Sequence, residues 1–263
     1  MELINVTEEN IEKEHICCAI AGSNDSGQAG QSVRAKKEWM KARFADGLVF
    51  KKLDVRGKCF IEYIPAEKAW APIEAPGYMY IDCLWVSGQY KGKGYSNLLL
   101  NACISDAQEK GKNGLVILSA KKKTSFLADP KYLRYKGFRT ADTAEPYFEL
   151  MYLPFDTDAL RPRFTEKAKH PRVETPGYAL YYTHQCPFTS KYVPLLSDVA
   201  AQNNAAFTAV RFETTEQAKA APAASTTFGL FYNGNYVTNE ILSEKKFEKM
   251  IAEHRRQEAS DGI

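Results

Sequence analysis

The sequence predicts an α/β (α+β) chain in two units, a larger one on a mixed central sheet and a smaller one behind it. Three observations carry this. The apolar strand MYIDCLWVSG runs into the glycine turn QYKGKGYSN at residues 89–97, and LLLNACISDAQEKGK leaves that turn with apolar residues at helical spacing. After Phe155 the chain becomes charged and proline-rich. From Tyr178 a second set of strands and helices begins, with a hairpin signal at Asn233-Gly234. The predicted divisions are residues 1–155, a linker at 156–177, and 178–263.

ELINVT, from Glu2, alternates as a first strand. A helix is expected from about Glu8 to Ala21 with Thr7 as cap, although Asn10 stands where a capping box has Glu or Gln. GSNDSGQAG is a loop by composition. Ser32 to Ala45 sets Val33, Trp39, Met40 and Phe44 among basic residues, an amphipathic helix that Gly47 ends. LVFKKLD and KCFIEYI are strands joined at Arg56-Gly57, and a Pro-rich loop, PAEKAWAPIEAPG, follows. YMYIDCLWV is the next strand, and its helix runs to about Lys110. GLVILS is a short buried strand. Asp129 and Pro130 suit the N-cap and first position of a short helix ending at Gly137. YFELMYL closes the unit.

The segment DTDALRPRFTEKAKHPRVETPG has three prolines, many charges and little periodicity, which reads as a linker with room for a short helix. Beyond it, YALYY is a strand and HQCPFTSKYVPLLSDVAAQNN a turn plus helix. FTAVRFE is a strand, Thr214 to Ala221 is helical, TTFGLFYNGNYVTN is a hairpin, and EILSEKKFEKMIAEH is a closing helix. The order is β-α-β-α-β-β-α.

The chain has 263 residues, a net charge of only +3 and an ordinary apolar fraction. That balance gives no reason to invoke nucleic acid, which usually shows as a clustered basic face. No apolar run reaches membrane-spanning length. The cysteines are Cys17, Cys18, Cys59, Cys83, Cys103 and Cys186, with no C-x-x-C pair and no zinc spacing, so no metal is expected. A reduced, cytoplasmic protein with free thiols fits, most of them small buried apolar groups.

A strand, a glycine turn and a helix make an anion site. The first N–H groups of a helix lack internal partners, the helix dipole adds positive charge, and glycine lets a phosphate come close. The Walker pattern is absent, and the dinucleotide pattern fails at its third glycine, where Asn97 stands. What fits is Gln-x-x-Gly-x-Gly, from Gln89 through Gly92 to Gly94. On a strand-to-helix turn this resembles the pyrophosphate signature of the GNAT N-acetyltransferase superfamily. The order of elements over residues 1–155 and the Gly137-Phe138 pair resemble the same family.

The resemblance implies the GNAT acyltransferase fold and acetyl-CoA as co-substrate, with the amine of a small molecule or peptide as acceptor. It implies that backbone N–H groups from Tyr90 through Lys91, Gly92, Lys93 and Gly94 to Tyr95 cradle the pyrophosphate. It also implies that Leu84, Trp85 and Val86 pair with the pantetheine arm on a strand splayed from its neighbour. Lys91, Lys93 or the run 121–123 are candidates for the 3′-phosphate by charge alone; a solvated loop is the plainer reading of that run.

Acetyl transfer to an amine needs a base, a donor for the oxyanion and a proton for the leaving thiolate. The resemblance points to a carboxylate base on a central strand. Asp82 and Glu62 are the candidates, each also readable as a structural salt-bridge partner. Asp82 is two residues from Leu84, so both side chains are expected on one sheet face. The family's usual acid, a tyrosine four residues before the Gly of the Gly-Phe pair, falls here on Leu133. Tyr132 and Tyr135 flank it, and the thiolate can also leave unaided.

In the second unit, Cys186 sits at a strand-to-helix turn, where a lowered thiol pKa is expected. The element order and Cys186-Pro187-Phe188-Thr189 resemble thioredoxin and glutaredoxin domains, with the second cysteine replaced by Thr189 and the cis-proline place held by Thr226. A degenerate thioredoxin-like module, used for binding or packing, is the expectation; a monothiol redox role is the alternative. A GNAT unit followed by such a module resembles the YoaP-type acetyltransferases of bacteria. The acceptor cleft is expected between the GSNDSGQAG loop and the AWAPIEAPG loop, with the C-terminal module covering or extending it. A non-catalytic acetyl-CoA-binding regulator, favoured by the displaced tyrosine, is the other reading left open.

Overall fold

A seven-stranded sheet organises the first part of the chain. The computed structural model describes residues 2–16, 27–55 and 57–261. Its elements are β1 (Leu3–Val6), α1 (Gln28–Phe44), β2 (Val49–Leu53), β3 (Cys59–Pro65), β4 (Ile73–Glu74), β5 (Tyr78–Val86), α2 (Tyr95–Glu109), β6 (Gly114–Ala120), α3 (Pro130–Tyr135), β7 (Arg139–Ala144) and β8 (Phe148–Pro154). The large sheet has the order β1-β2-β3-β5-β6-β8-β7, and its one parallel pair is β5–β6. One face, with Phe50, Phe60, Ile64 and Tyr80, shares a core with Val33, Trp39 and Met40 of α1. The other, with Ile61, Tyr63, Met79 and Ile81, packs on Leu99, Leu100 and Cys103 of α2.

The expected helix from Glu8 is not formed in its described part. Residues 8–13 are turns, and residues 17–26 lie outside the described residues, with Cys17, Cys18 and most of the GSNDSGQAG loop among them. The reason is local. Asn10 Oδ1 accepts from Thr7 N at 2.8 Å while Asn10 Nδ2 donates to Asn5 O at 2.9 Å, so the short amide closes a turn back onto β1. Helix α1 starts at Gln28, ahead of the expected Ser32, and ends as expected before Gly47, whose φ is +90°. Asp129 caps α3 through Lys131 N at 2.9 Å. Strand β7 was not expected: RTADTA lacks an apolar alternation and pairs only with β8 at the sheet edge.

The segment after Phe155 continues with β9 (Arg163–Phe164) and α4 (Glu166–Lys169). Strand β9 pairs with β4, and Phe164 is buried in the first core, so this stretch is anchored rather than extended. Then come β10 (Tyr178–Tyr182), α5 (Pro187–Gln202), β11 (Phe207–Arg211), α6 (Thr215–Lys219), β12 (Phe228–Tyr232), β13 (Asn235–Thr238) and α7 (Glu244–Asp261). The second sheet has the order β11-β10-β12-β13, with only β10–β11 parallel. Asn233 and Gly234 turn its hairpin with φ of 44° and 81°.

The two parts share packed surface. Helix α1 lies against α5. Trp70 packs with Phe212, Ala218 and Ala221, and Ala224 joins the core that β3 and α1 build. Thr226 Oγ1 donates to Trp70 O across the junction.

Candidate active site

Strands β5 and β6 pair only from Tyr78↔Gly114 to Ile81↔Ile117. Past that point β5 continues to Val86 with β3 as its partner, so the sheet forks. Leu84, Trp85 and Val86 line one side of the opening, and Leu127, Ala128 and Tyr132 the other. Trp85 is 46% exposed and Phe126 47%, two large apolar side chains flanking the same groove. Such surface suits an extended, partly apolar ligand arm.

At the end of β5 the glycine turn opens the groove. Gly88, Gly92 and Gly94 have φ of 59°, 75° and 79°, and nothing stands within 4 Å of where their Cβ atoms would be. Helix α2 starts at Tyr95 with no side-chain cap. The expected cradle from Tyr90 to Tyr95 is displaced along the chain. Tyr90 N and Lys91 N donate within the turn, to Ser87 O and Gly88 O, so among the described residues the donors without a backbone partner run from Gly92 to Ser96. These N–H groups fit an anion held at a helix N-terminus. Lys91 and Lys123 also border the groove, whereas Gln89 and Lys93 are exposed and stand outside its lining.

At the inner end, the β3–β5 register passes from Glu62↔Cys83 to Tyr63↔Ile81, leaving Asp82 as the extra residue of a β-bulge. The expectation that Asp82 and Leu84 share a face is therefore corrected. Leu84 packs with Ile81 in the α2-face core, while Asp82 stands with Glu62 and Tyr80 in a second cavity that Ile81 and Leu84 also border. Burial first, then the nearby Glu62 charge, pushes the Asp82 carboxyl well above the usual range, against the opposing pull of Lys36 and Gln185. Asp82 Oδ1 accepts from Gln185 Nε2 at 2.8 Å, and Oδ2 is buried without a hydrogen-bond partner among the described residues. Glu62 takes both its hydrogen bonds from Lys36 Nζ, at 2.7 Å each, with both residues 1% exposed. Glu62 is thus the structurally paired carboxylate, and Asp82 the one with an open oxygen.

The flanking tyrosines differ. Leu133 is buried in the α2-face core. Tyr132 is half-buried, its hydroxyl 3.5 Å from Asn97 Oδ1 at the start of α2, and burial raises its phenol above the usual range. Tyr135 is 80% exposed, with Lys136 Nζ 4.8 Å from its ring centre.

The inner cavity is closed by the second sheet's unit. Gln185, Cys186, Phe188 and residues 224–227 face Phe60, Glu62, Asp82 and Trp85 across it. Trp70 of the AWAPIEAPG loop packs with Phe212, Ala218 and Ala221 in the junction core, and the loop is not among the lining of this cavity. Sequence reasoning missed Gln185 and Lys36. Gln185 is one residue before the cysteine that drew attention, and Lys36 sat in what read as a basic helix face. Cys186 also departs from expectation: burial pushes its thiol up to about 11, outweighing the backbone N–H of Phe188 that lowers it. Thr189, in the place of a second cysteine, donates to Thr183 O and Cys186 O at 2.7 Å each.

A glycine turn with open space stands at one end of the forked sheet, and the Asp82 carboxyl at the other. Comparison with known proteins is specific. Residues 20–128 match the acetyltransferase (GNAT) family and residues 206–249 a YoaP-like family. The chain is 42% identical, over 94% of its length and 97% of the other's, to the uncharacterized N-acetyltransferase YoaP of Bacillus subtilis (strain 168). Among solved structures, a putative GNAT acetyltransferase from Desulfovibrio desulfuricans is 12% identical with a TM-score of 0.41, covering 58% of this chain and 99% of that one. A GNAT acetyltransferase from Brucella melitensis, solved with acetyl-CoA, is 15% identical with a TM-score of 0.38, covering 61% and 91%. The chain belongs to the GNAT acetyltransferase family and is an N-acetyltransferase. Among the described residues, no helix is long and apolar enough to cross a membrane.

Proposed function

We propose that the chain transfers the acetyl group of acetyl-CoA to the amine of a small molecule or peptide by direct attack on the thioester. The observation that carries this is Asp82, turned by the bulge into the cavity that continues the β5–β6 fork. The donors from Gly92 to Ser96 hold the pyrophosphate, and the fork edge at Leu84–Val86 takes the pantetheine arm. Asp82 takes a proton from the ammonium form of the acceptor. The amine nitrogen then bonds to the acetyl carbon as the carbon–sulfur bond breaks, the nitrogen gives up its second proton to solvent to leave the neutral amide, and the leaving thiolate takes a proton from Tyr132. Tyr132 regains its proton from solvent, and Asp82 gives its own up to solvent. Positioning of the two substrates supplies much of the rate.

The divisions 1–155, 156–177 and 178–263 fit this reading as an acetyltransferase unit, an anchored connection and a thioredoxin-like module. The strand order β11-β10-β12-β13 supports the last. A redox role for that module has little support, because the Cys186 thiol stays protonated at neutral pH and Thr189 is engaged in the turn. A cytoplasmic setting suits the free thiols.

Tyr132 and Tyr135 are separable by one experiment. Tyr132→Phe is expected to lower kcat by about 100-fold with an unchanged KM for acetyl-CoA, the size typical of one acid–base group. Tyr135→Phe is expected to stay near wild type. Thiol release from acetyl-CoA in the presence of an amine reads both. Equal activity of Tyr132→Phe and wild type would remove Tyr132 from the mechanism.

A further inference from the structure

We propose that the C-terminal unit is a working part of the amine site: Gln185 positions the Asp82 carboxylate, and the Cys186–Phe188 wall fits a compact primary amine with an apolar body. This rests on the acetyltransferase reading above. The bulge leaves Asp82 with no partner residue opposite it on β3, so its carboxyl needs another contact to hold it in the cavity. Among the described residues, its one side-chain hydrogen bond comes from Gln185, 103 residues away in sequence. The turn that carries Gln185 is itself fixed: Thr189 Oγ1 bonds Thr183 O and Cys186 O on either side of it. The same unit also holds the opposite lip of the fork. Asn239, 2% exposed, donates to Ser125 O at 2.9 Å and accepts from Tyr147 Oη at 2.7 Å. One unit thus braces both sides of the opening through which the acetyl group must reach the amine.

The same contacts define the acceptor. Phe60, Leu118, Phe126 and Phe188 give the cavity apolar walls. Beside them stand the Glu62 and Asp82 carboxyls, with Lys36 spent on Glu62 and Lys58 lying 5.6 Å from the Phe188 ring, so the polar contact left for an amine is at Asp82. The unpartnered Asp82 Oδ2 is the acceptor an ammonium completes. A wall of α5 and residues 224–227 stands across the cavity from β5, where an extended peptide would need an open groove. A short amine on an aromatic or branched aliphatic body satisfies all of these.

The test uses the full chain, phenylethylamine and a tetrapeptide with a free N-terminus. Wild type is expected to acetylate phenylethylamine with a kcat/KM at least tenfold above that for the tetrapeptide. Gln185→Leu removes the hydrogen bond that favours the ionised carboxylate, so the acid limb of kcat/KM against pH is expected to move up by about one unit. Gln185→Glu is expected to move it further. The KM for acetyl-CoA should stay the same in both, which a merely destabilised protein would not combine with a shifted limb. Phe188→Ala is expected to raise the phenylethylamine KM by about tenfold with little effect on the tetrapeptide. An unmoved limb in both Gln185 variants overturns the positioning role. Preference for the tetrapeptide, or no acetylation of phenylethylamine by a chain that acetyl-CoA stabilises, overturns the acceptor class and leaves the acetyltransferase reading standing. A wild-type chain that acetyl-CoA does not stabilise overturns that reading, and this proposal with it.

Discussion

Replacing Asp82 with Asn is expected to lower kcat/KM for the amine by about 10²- to 10⁴-fold, the usual contribution of a general base. Acetyl-CoA binding should be retained, since the turn donors from Gly92 to Ser96 lie at the other end of the groove. Asn keeps the shape and can still meet Gln185, so the fold is preserved while the proton acceptor is lost. The wild-type pH profile follows from the same carboxyl. Its pKa is raised, chiefly by burial, and the base form is the ionised one. Activity is therefore low on the acid side and rises as pH climbs through the raised Asp82 value. Asp82→Asn should abolish that limb, leaving a weak rate that tracks only the ionisation of the amine itself. Initial rates across pH, with a single amine, check both points. A variant with full activity and the same acid limb would assign the base elsewhere.

Replacing Lys36 with Met is expected to destabilise the protein by about 3 to 5 kcal/mol, the cost of stranding a buried partner charge. Lys36 Nζ supplies both hydrogen bonds that Glu62 receives, at 2.7 Å, and both side chains are almost wholly inaccessible. Without the ammonium, the carboxylate must stay buried unpaired or take up a proton. The double variant Lys36→Met with Glu62→Leu removes both charges and is expected to recover most of the loss, because a matched apolar pair costs far less than half an ion pair. Urea unfolding midpoints at neutral pH measure this. A single variant within about 1 kcal/mol of wild type would mean that water reaches Glu62 and the pair is not buried in solution.

The strand, turn and helix around QYKGKGYSN were legible because their signals are local. Nine residues of YMYIDCLWV form β5 as written, and Gly92 and Gly94 take the positive φ that a close approach needs. The hairpin at Asn233-Gly234 and the Asp129 cap were legible for the same reason. What escaped was set by tertiary contact. The bulge at Asp82 reverses which face its side chain meets, and a simple alternation of two cannot show it. Lys36 resembles any solvated lysine until Glu62 folds against it, and Gln185 meets Asp82 only through the packing of the second unit on the first. The described part of the helix expected from Glu8 is turns, with Asn10 bonded back to Thr7 and Asn5. The thiol of Cys186 was judged by its helix terminus, whereas its burial dominates.

Thermal melting of wild type and of Gly92→Glu, with and without acetyl-CoA, tests the central claim that the glycine turn holds the coenzyme. Gly92 has open space around its Cβ position, so the new carboxylate meets no clash and acts by its charge and by the cost of its φ of 75°. Gly92→Ala, which carries the same backbone cost without the charge, is the control. At about 100 times Kd, acetyl-CoA should stabilise wild type by roughly 2.7 kcal/mol, a rise in Tm of about 5 to 10 °C for a chain of this size. The rise should persist in large part in Gly92→Ala and vanish in Gly92→Glu. No rise in wild type, or an equal rise in Gly92→Glu, would contradict the account and reduce the turn to the start of a helix.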